Sequence, residues 1–354
     1  MTDPLPVGAT IGILGGGQLG RMLSVAASRL GFKTCIFEPG ANCPASQVSS
    51  QHFEKQYSDT EALTAFAQSC DVITFEFENI PDDAFNALLP VPVHPNRLAL
   101  STAQNRVFEK NAIQDIGFKV APFAAVHDEA ELRAAVSQIG TPSILKTQTL
   151  GYDGKGQIRI AEGDDLAAIW AQMNDAPCVL EGFIDFSHEV SVIGARGLDG
   201  QVACYDPGEN VHLDGILHTT TVPANLTAAQ RTDAVLMAGQ IMNALDYVGV
   251  MGLELFVTPK GLIVNEIAPR VHNSGHWTQN GCSIDQFEQH IRAIAGWPLG
   301  DGARHSDVVM ENLIGDDMDR VKELSGRPEA ALHIYGKAQV KPGRKMGHVN
   351  TVTS

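Results

Sequence analysis

The sequence predicts an α/β chain that passes into mixed α+β architecture, and three observations carry that expectation. Strand-like and helix-like segments alternate from Thr10 to Glu78, which implies a parallel, doubly wound sheet. A proline-rich stretch, Pro90-Val91-Pro92-Val93-His94-Pro95, then marks a linker and a domain boundary near residue 100, because proline removes backbone donors and stiffens the chain. Beyond it, hairpin signals and one long amphipathic helix replace the simple alternation.

Taken in order, Thr10 to Gly17 is an apolar strand run that ends in glycines. Gln18 to Leu30 places Leu19, Met22, Leu23, Ala26 and Leu30 on one helical face, and Gly31 stops that helix. Lys33 to Glu38 reads as a second strand, Ser58-x-x-Glu61 as the capping box of a second helix, and Asp71 to Glu78 as a third strand. Past the boundary, Ser101-x-x-Gln104 opens a helix that ends near Gly117, Asp128-x-x-Glu131 opens another, and Ser143 to Thr147 is a short strand. Two β-rich runs between Ser187 and Asp206 are joined by the turn Leu198-Asp199-Gly200. Thr227 to Leu245 is the long helix, and Leu253 to Ile267 is a further hairpin.

With 354 residues, 44% of them hydrophobic and 19% charged, the chain suits two or three folded domains. A formal charge of −16 repels nucleic acid and anionic membranes, so neither is an expected partner and an anionic ligand must be held by locally placed Lys and Arg. The six cysteines form no C-x-x-C pair, which argues against a zinc site or a disulfide framework and for reduced thiols in cytoplasm. No targeting signal is read at Met1-Thr2-Asp3-Pro4, and no run is apolar enough to span a bilayer.

Gly15-Gly16-Gly17-Gln18-Leu19-Gly20 matches G-x-G-x-x-G between a strand and a helix, and Glu38 stands where a dinucleotide fold keeps its ribose-binding acid. Glycines here allow a tight turn and expose N–H groups at a helix N-terminus, which suits any anion and does not specify NAD. Packing of strand against helix could also require them. On the third strand, Thr74, Glu76 and Glu78 share a face by alternation, so the two acids could accept hydrogen bonds from an amine or a ribose, or simply face solvent.

Three features further along converge on polyphosphate chemistry. Lys146 lies inside the short apolar strand Ser143 to Thr147, where an unpaired ammonium is costly and an anion should sit opposite it. Leu150-Gly151-Tyr152-Asp153-Gly154-Lys155-Gly156-Gln157 follows as a hairpin tip able to fold N–H groups over phosphates, without the spacing of a P-loop. Met251 to Val257 and Leu262 to Ile267 flank a turn read as the three-residue loop Pro259-Lys260-Gly261, a register that sets Glu254 opposite Glu266. Paired carboxylates in an apolar hairpin repel unless cations bridge them, and hard oxygen donors suit Mg²⁺. The donor-rich segment from Ala268 to Thr278 follows, in which Arg270 can grip a planar oxyanion and His272 can exchange a proton. Lys341-Pro342-Gly343-Arg344-Lys345 is a basic patch fit for a phosphate, or a solvated turn.

At these residues the chain resembles the ATP-grasp superfamily and, within it, the 5-(carboxyamino)imidazole ribonucleotide synthase family. The similarity runs from Gly15 to His348; Gly151 to Gln157 and Asn265-Glu266-Ile267-Ala268-Pro269-Arg270-Val271-His272-Asn273-Ser274-Gly275-His276 resemble that family's signatures. The resemblance implies a Rossmann-like pre-ATP-grasp domain over 1–100, an ATP-grasp domain over 101–298 with a mobile lid subdomain about 118–185, and a small C-terminal β-rich domain over 299–354. It implies ATP with Arg106 and Lys146 on its phosphates and the segment Gly151, Tyr152, Asp153, Gly154, Lys155, Gly156 and Gln157 as lid. Glu181, Gly182, Phe183 and Ile184 would line the adenine pocket, Glu189 would hold the ribose, and His212 would approach the nucleotide. Glu254 and Glu266 would bind two Mg²⁺ beside Asn265, with Arg270, His272 and Asn273 as catalytic groups. Gly17, Gln18, Glu76, Tyr152, Lys337, Arg344 and Lys345 match the positions for 5-aminoimidazole ribonucleotide.

Two departures stand out: Asn105 replaces the aspartate expected before Arg106, and the chain stops soon after His348-Val349-Asn350. The implied reaction joins bicarbonate to the ribonucleotide amine through carboxyphosphate, at the cost of ATP and without NAD, in a cytoplasmic homodimer. Its rivals are an NAD-dependent oxidoreductase built on the glycine turn, another ATP-grasp ligase such as a formate-dependent glycinamide ribonucleotide transformylase or a biotin carboxylase-like enzyme, and a nucleotide-sensing module.

Overall fold

A computed structural model describes residues 3–151 and 156–353. Its first sheet has four parallel strands in the spatial order Gln51–Phe53, Lys33–Phe37, Thr10–Leu14, Val72–Phe75. The helix Gln18–Arg29 leaves the glycine turn directly and buries Leu19, Met22, Leu23 and Ala26, while Leu30 caps its C-terminal end. The alternation read from the sequence is therefore present, but four local readings need correction.

The third strand ends at Phe75 and not at Glu78. Beyond it the Glu76 carboxylate turns back to accept from the backbone N–H groups of Gly17 and Gly20, so Thr74, Glu76 and Glu78 do not share a strand face. The proline-rich stretch is not a free linker. Ile73 N–H donates to the Pro92 carbonyl at 2.9 Å and His94 N–H to the Ile73 carbonyl at 2.8 Å, which seats Val93 beside the edge strand. Ser101 lies inside a helix and caps nothing: Arg97–Gln104 is capped by Asn96, and a break at Asn105 starts Arg106–Asp115. Asn105 Oδ1 accepts from the N–H groups of Val107 and Phe108, the task an aspartate would perform at that position. The helix Thr60–Gln68 is likewise capped by Asp59, one residue after the expected Ser58.

A nine-stranded sheet forms the centre of the molecule. Its strands run Gly261–Ala268, Gly249–Thr258, His188–Arg196, Gly208–Leu213, Ile216–Val222, Val308–Ile314, Lys345–Val352 and Ala330–Ile334, with Val202–Cys204 paired to His188–Arg196. The C-terminal strands extend this same sheet through the pairing of Ile216–Val222 with Val308–Ile314, so the β-rich end of the chain is continuous with the centre. A third, antiparallel sheet of four strands, Phe123–Val126, Cys178–Gly182, Ser143–Thr147 and Gln157–Ile160, carries the helices Glu129–Ile139 and Leu166–Gln172. The long helix Ala228–Ala244 begins with a full capping box at Thr227 and Gln230. Among the described residues no helix is long and apolar enough to cross a membrane, and the six cysteines are free thiols.

One core joins the first and central sheets. Ile11, Ile13 and Leu23 from the opening segment pack in one cluster with Ile193 and Val250 and with Phe287, Ile291 and Ile294 of the helix Gln286–Ile294. At this junction His290 is fully buried; its Nδ1 accepts from Val250 N–H at 3.0 Å, so Nε2 bears the proton and donates to Thr74 Oγ1 at 2.8 Å. Burial pushes this imidazole down to about 3.

In the unfolded chain His290 takes up a proton near pH ~6.5, whereas in the fold it stays neutral, so the stability it contributes is complete above that pH and drains away as pH falls toward 3. His290→Gln is expected to be less stable than wild type at pH 7, with the gap closing by roughly 2 kcal/mol at pH 4.5. Urea unfolding at the two pH values measures it; a gap independent of pH would show that His290 takes up its proton in the fold as readily as in the unfolded chain.

Candidate active site

The hairpin of Gly249–Thr258 and Gly261–Ala268 turns through two residues, Pro259 and Lys260, with Thr258 opposite Gly261. That corrects the three-residue loop of the sequence reading, and the two-residue register would place Asn265 opposite Glu254. A β-bulge at Asn265 absorbs one residue and brings Glu266 opposite Glu254 after all. The bulge also lets Val264 and Ile267, three apart, both enter the core with Leu253 and Leu255. Burial, and then the neighbouring Glu266 and Glu189, push the Glu254 carboxyl up to about 8. Burial acts on Glu266 in the same direction, but the Arg106 guanidinium, with Lys146 and Lys110, outweighs it and leaves that carboxyl below its ordinary range. Asn265 Nδ2 lies 3.5 Å from Glu254 Oε2.

Basic groups close around these acids. Arg106 Nη1 bonds Glu266 Oε2 at 2.9 Å and Nη2 reaches the Gly151 carbonyl at 3.3 Å. Lys146 does face an anion, the Glu181 carboxylate, at 2.9 Å. Lys110, which the sequence reading passed over, pairs with the other Glu181 oxygen at 3.1 Å and is 2% exposed. Burial alone would raise Glu181, and the two lysines more than offset it, holding the carboxyl below its usual range.

The segment after the hairpin folds against this cluster. Arg270 pairs with Glu78 at 3.0 Å. His272 is neutral, its pKa held well below the ordinary value by burial and then by the charges of Arg270, Lys345 and His212. Ser274 N–H donates to His272 Nδ1, and Ser191 Oγ donates to Ser274 Oγ at 2.7 Å, which leaves the Ser274 proton for Nδ1 at 2.8 Å. Nε2 consequently carries the ring proton and faces Glu254 Oε1 at 3.3 Å. Gln286 brackets the His272 backbone, accepting from its N–H at 2.9 Å and donating to its carbonyl at 2.8 Å. Both polar atoms of the Asn273 side chain are buried without a protein partner, so its amide remains available to a ligand.

At the glycine turn the chain supplies its own anions. Glu76 binds the N–H groups of Gly17 and Gly20, and Glu38 accepts from Gly16 at 3.2 Å and from Gly40 at 3.1 Å. A dinucleotide pyrophosphate would have to displace Glu76 from the helix N-terminus where Gln18 begins. Burial holds the Glu76 carboxyl above its ordinary range, opposed by the Gly20 and Gly17 N–H groups and last by the charge of Arg270. The charge of Lys345 acts on His272, so the opening turn and the C-terminal basic patch are both coupled electrostatically to the Arg270–His272 segment. Lys337 Nζ donates to the Lys345 carbonyl at 2.6 Å and lies over the Tyr335 ring, while Arg344 donates to the Gln339 carbonyl at 3.1 Å.

On the small sheet, Gln157 pairs with Lys146 and Gly156 adopts φ +73° at the hairpin tip. Tyr152, Asp153, Gly154 and Lys155 lie outside the described residues. Gly182 N–H donates to Pro122, Phe183 is exposed with Arg159 5.0 Å above its ring, and Ile184 is half-buried beside it. Glu189 faces His212 Nδ1 at 3.3 Å across paired strands. Besides Lys110, the sequence reading missed Glu109, Ser274 and Gln286. A signal for the bulge was present in the spacing of Val264 and Ile267, since a regular strand buries alternate residues.

Comparison with known proteins matches residues 8–104 to the ribonucleotide synthetase preATP-grasp domain, 111–287 to the ATP-grasp domain and 308–354 to the phosphoribosylaminoimidazole carboxylase C-terminal domain. The chain is 51% identical over 352 residues to N5-carboxyaminoimidazole ribonucleotide synthase of Brucella melitensis, covering 98% of this chain and 97% of that protein. The chain belongs to the N5-carboxyaminoimidazole ribonucleotide synthase family. The family's Bacillus subtilis member is 42% identical, over 97% of this chain and 91% of its own length. Among solved structures, an ADP complex of N5-carboxyaminoimidazole ribonucleotide synthetase superposes with a TM-score of 0.96 at 40% identity, over 100% of this chain and 94% of that one. The Aspergillus clavatus N5-carboxyaminoimidazole synthase, solved with ADP and 5-aminoimidazole ribonucleotide, gives 0.92 at 32% identity, over 98% and 94%. Membership of the N5-carboxyaminoimidazole ribonucleotide synthase family makes the chain an ATP-grasp ligase of purine biosynthesis.

Proposed function

We propose that the chain joins bicarbonate to the exocyclic amine of 5-aminoimidazole ribonucleotide, converting ATP to ADP and phosphate and forming 5-(carboxyamino)imidazole ribonucleotide. The observation that carries this reading is the facing pair Glu254 and Glu266, ringed by Arg106 and Lys146 and continued by Arg270 and His272. The A. clavatus relative, solved with both a nucleotide and the ribonucleotide, supports the choice of substrates.

The donor set fits Mg²⁺. Glu254 and Glu266 offer hard oxygens, and the raised Glu254 carboxyl is that of an acid in want of a cation. With two protein carboxylates as donors, phosphate oxygens and water would complete the coordination of a bound Mg²⁺. Two Mg²⁺ held by Glu254 and Glu266 beside Asn265 would neutralise charge on the polyphosphate.

In the proposed mechanism Arg106 and Lys146 exchange their carboxylate partners for ATP phosphates, with 151–157 as the lid. Glu181, Gly182, Phe183 and Ile184 hold the adenine, Glu189 the ribose, and His212 lies beside the nucleotide. A bicarbonate oxygen attacks the γ-phosphorus, the bond to the ADP oxygen breaks, and carboxyphosphate forms. Arg270, Asn273 and the Nε2–H of His272 donate to its oxygens. The ribonucleotide amine then attacks the carbon, directly or after collapse to CO₂, and loses a proton as phosphate departs. Gly17, Gln18, Glu76, Tyr152, Lys337, Arg344 and Lys345 hold the ribonucleotide. Shielding from water matters because carboxyphosphate would otherwise hydrolyse.

Free thiols fit a reducing cytoplasm, and family resemblance supports a homodimer. Exposed Val25 and Ile334, at 45% and 38%, line one cleft between the opening helix and the C-terminal sheet that could serve as its contact. Sedimentation equilibrium is expected to give twice the monomer mass, and a monomer at every concentration would reject the dimer.

Phosphate release from ATP is expected to require bicarbonate and the ribonucleotide when each is omitted in turn; release that follows formate and glycinamide ribonucleotide instead would overturn the assignment. Glu266→Gln removes an anionic ligand at constant size, and turnover should fall by more than the roughly 100-fold seen for outer-shell changes, with an unchanged Tm. Near-normal turnover in saturating Mg²⁺ would sink the metal role. A Cβ at Gly17 would stand 2.6 Å from Glu76 Oε1, so Gly17→Ala displaces that carboxylate and does not merely block a substrate from the turn. Gly17→Ala and Lys345→Ala should each raise KM for the ribonucleotide about tenfold, some ~1.4 kcal/mol, and leave KM for ATP unchanged. Equal effects on both substrates would contradict this division of the site.

A further inference from the structure

The bulge at Asn265 decides which face of the central sheet Glu266 occupies. Between Thr258 and Leu255 the hairpin follows the register set by its two-residue turn, and continued unbroken it would put Glu266 opposite Leu253. Leu253 is fully buried in the apolar cluster beneath the sheet, so Glu266 would point into that core while Asn265 stood opposite Glu254 and Ile267 lay on the same face as Glu254. One extra residue reverses both. A bulge, however, leaves backbone groups unpaired, and the strand Gly261–Ala268 lies at the edge of the sheet, where no further strand supplies partners.

Side chains of the helix Arg106–Asp115 supply them. Glu109 Oε1 accepts from Ile267 N–H at 2.6 Å, immediately after the bulge. Lys110 Nζ reaches the carbonyl of Asn265, the bulged residue itself, at 3.4 Å. Further along the same edge, Val264 N–H donates to the Lys119 carbonyl at 2.8 Å. Glu109 and Lys110 are each only 2% exposed, deep burial for two ionisable groups that make no contact with the exterior. Lys110 also pairs with Glu181, whose other oxygen holds Lys146. One lysine thus touches both the bulge that orients Glu266 and the carboxylate that orients Lys146.

We propose that Glu109 and Lys110 are positioning residues for nucleotide–metal binding: they clamp the bulge that sets Glu266 opposite Glu254, and Lys110, through Glu181, holds Lys146 in the same frame until a phosphate takes it. The clamp rests on the reading of Glu254 and Glu266 as metal ligands. Glu109 and Lys110 touch no substrate; they act through the strand.

The test measures Mn²⁺ affinity of the enzyme–ADP complex by electron paramagnetic resonance, beside ADP affinity without metal and Tm. Lys110→Met and Glu109→Leu are expected to weaken Mn²⁺ binding roughly 10–100-fold, the range for groups that orient metal ligands; Glu109→Leu should weaken metal-free ADP binding by less than about threefold, whereas Lys110→Met, which also releases Glu181 and Lys146, should weaken it as well. Lys110→Arg keeps the donor and Glu109→Gln keeps the acceptor for Ile267, so both should restore Mn²⁺ affinity to within about threefold of wild type. Hydrogen exchange on the wild-type chain gives a second reading should the truncations not fold: the Ile267 amide should exchange slowly despite its place on an edge strand. Wild-type Mn²⁺ affinity in Lys110→Met and Glu109→Leu, or fast exchange at Ile267, would overturn the clamp. Glu266→Gln separates the two ideas: if it too keeps Mn²⁺, the metal reading fails, whereas if it alone loses Mn²⁺, only the clamp fails.

Discussion

Two carboxylates face each other on one side of a largely buried hairpin, and the repulsion between Glu254 and Glu266 is the constraint around which the site is arranged. Without compensating charge such a pair would take up a proton or drive the strands apart. The chain offsets it unevenly. Arg106 is bonded to Glu266, while among the described residues Glu254 meets the neutral His272 and the amide of Asn265. The pair therefore consists of one satisfied acid and one whose proton affinity is raised, an arrangement that a divalent cation would relieve.

The same economy extends to the other acids and bases. Glu181 stands between Lys110 and Lys146, and Arg270 rests on Glu78. Arg106, Lys146 and Arg270, which the proposed mechanism brings to the ATP phosphates and the carboxyphosphate, are each held by a carboxylate of the protein. Buried charges stay tolerable because they are paired, and they are oriented before a ligand arrives. Exchange of one anionic partner for another costs less than desolvating a free ammonium or guanidinium.

The glycine turn shows how far a motif is separable from its usual ligand. Its exposed N–H groups at a helix N-terminus ask only for negative charge, and here the Glu76 and Glu38 side chains answer. Because Glu76 also feels Arg270, the opening domain is tied electrostatically to the segment that follows the metal hairpin. The strand predicted to continue through Glu78 stops at Phe75, and the Glu76 side chain beyond it serves the turn.

The sequence by itself determined what short-range periodicity and chemistry can encode: the parallel opening sheet, the capped helix Ala228–Ala244, the hairpin carrying Glu254 and Glu266, and the need of Lys146 for an anion. Tertiary structure decided what depends on partners distant in the chain. Glu181 as the partner of Lys146 and Glu76 as the anion of the glycine turn lie 35 and 59 residues from the groups they bind, and no local pattern names them. The bulge at Asn265 lies between these cases. Spacing of Val264 and Ile267 hints at it, yet the turn length and the backbone partners from Glu109 and Lys110, more than 150 residues away, fix where the extra residue goes. Local sequence sets which side chains can share a face; the register that makes them share it is set by packing and by hydrogen bonds from elsewhere in the fold.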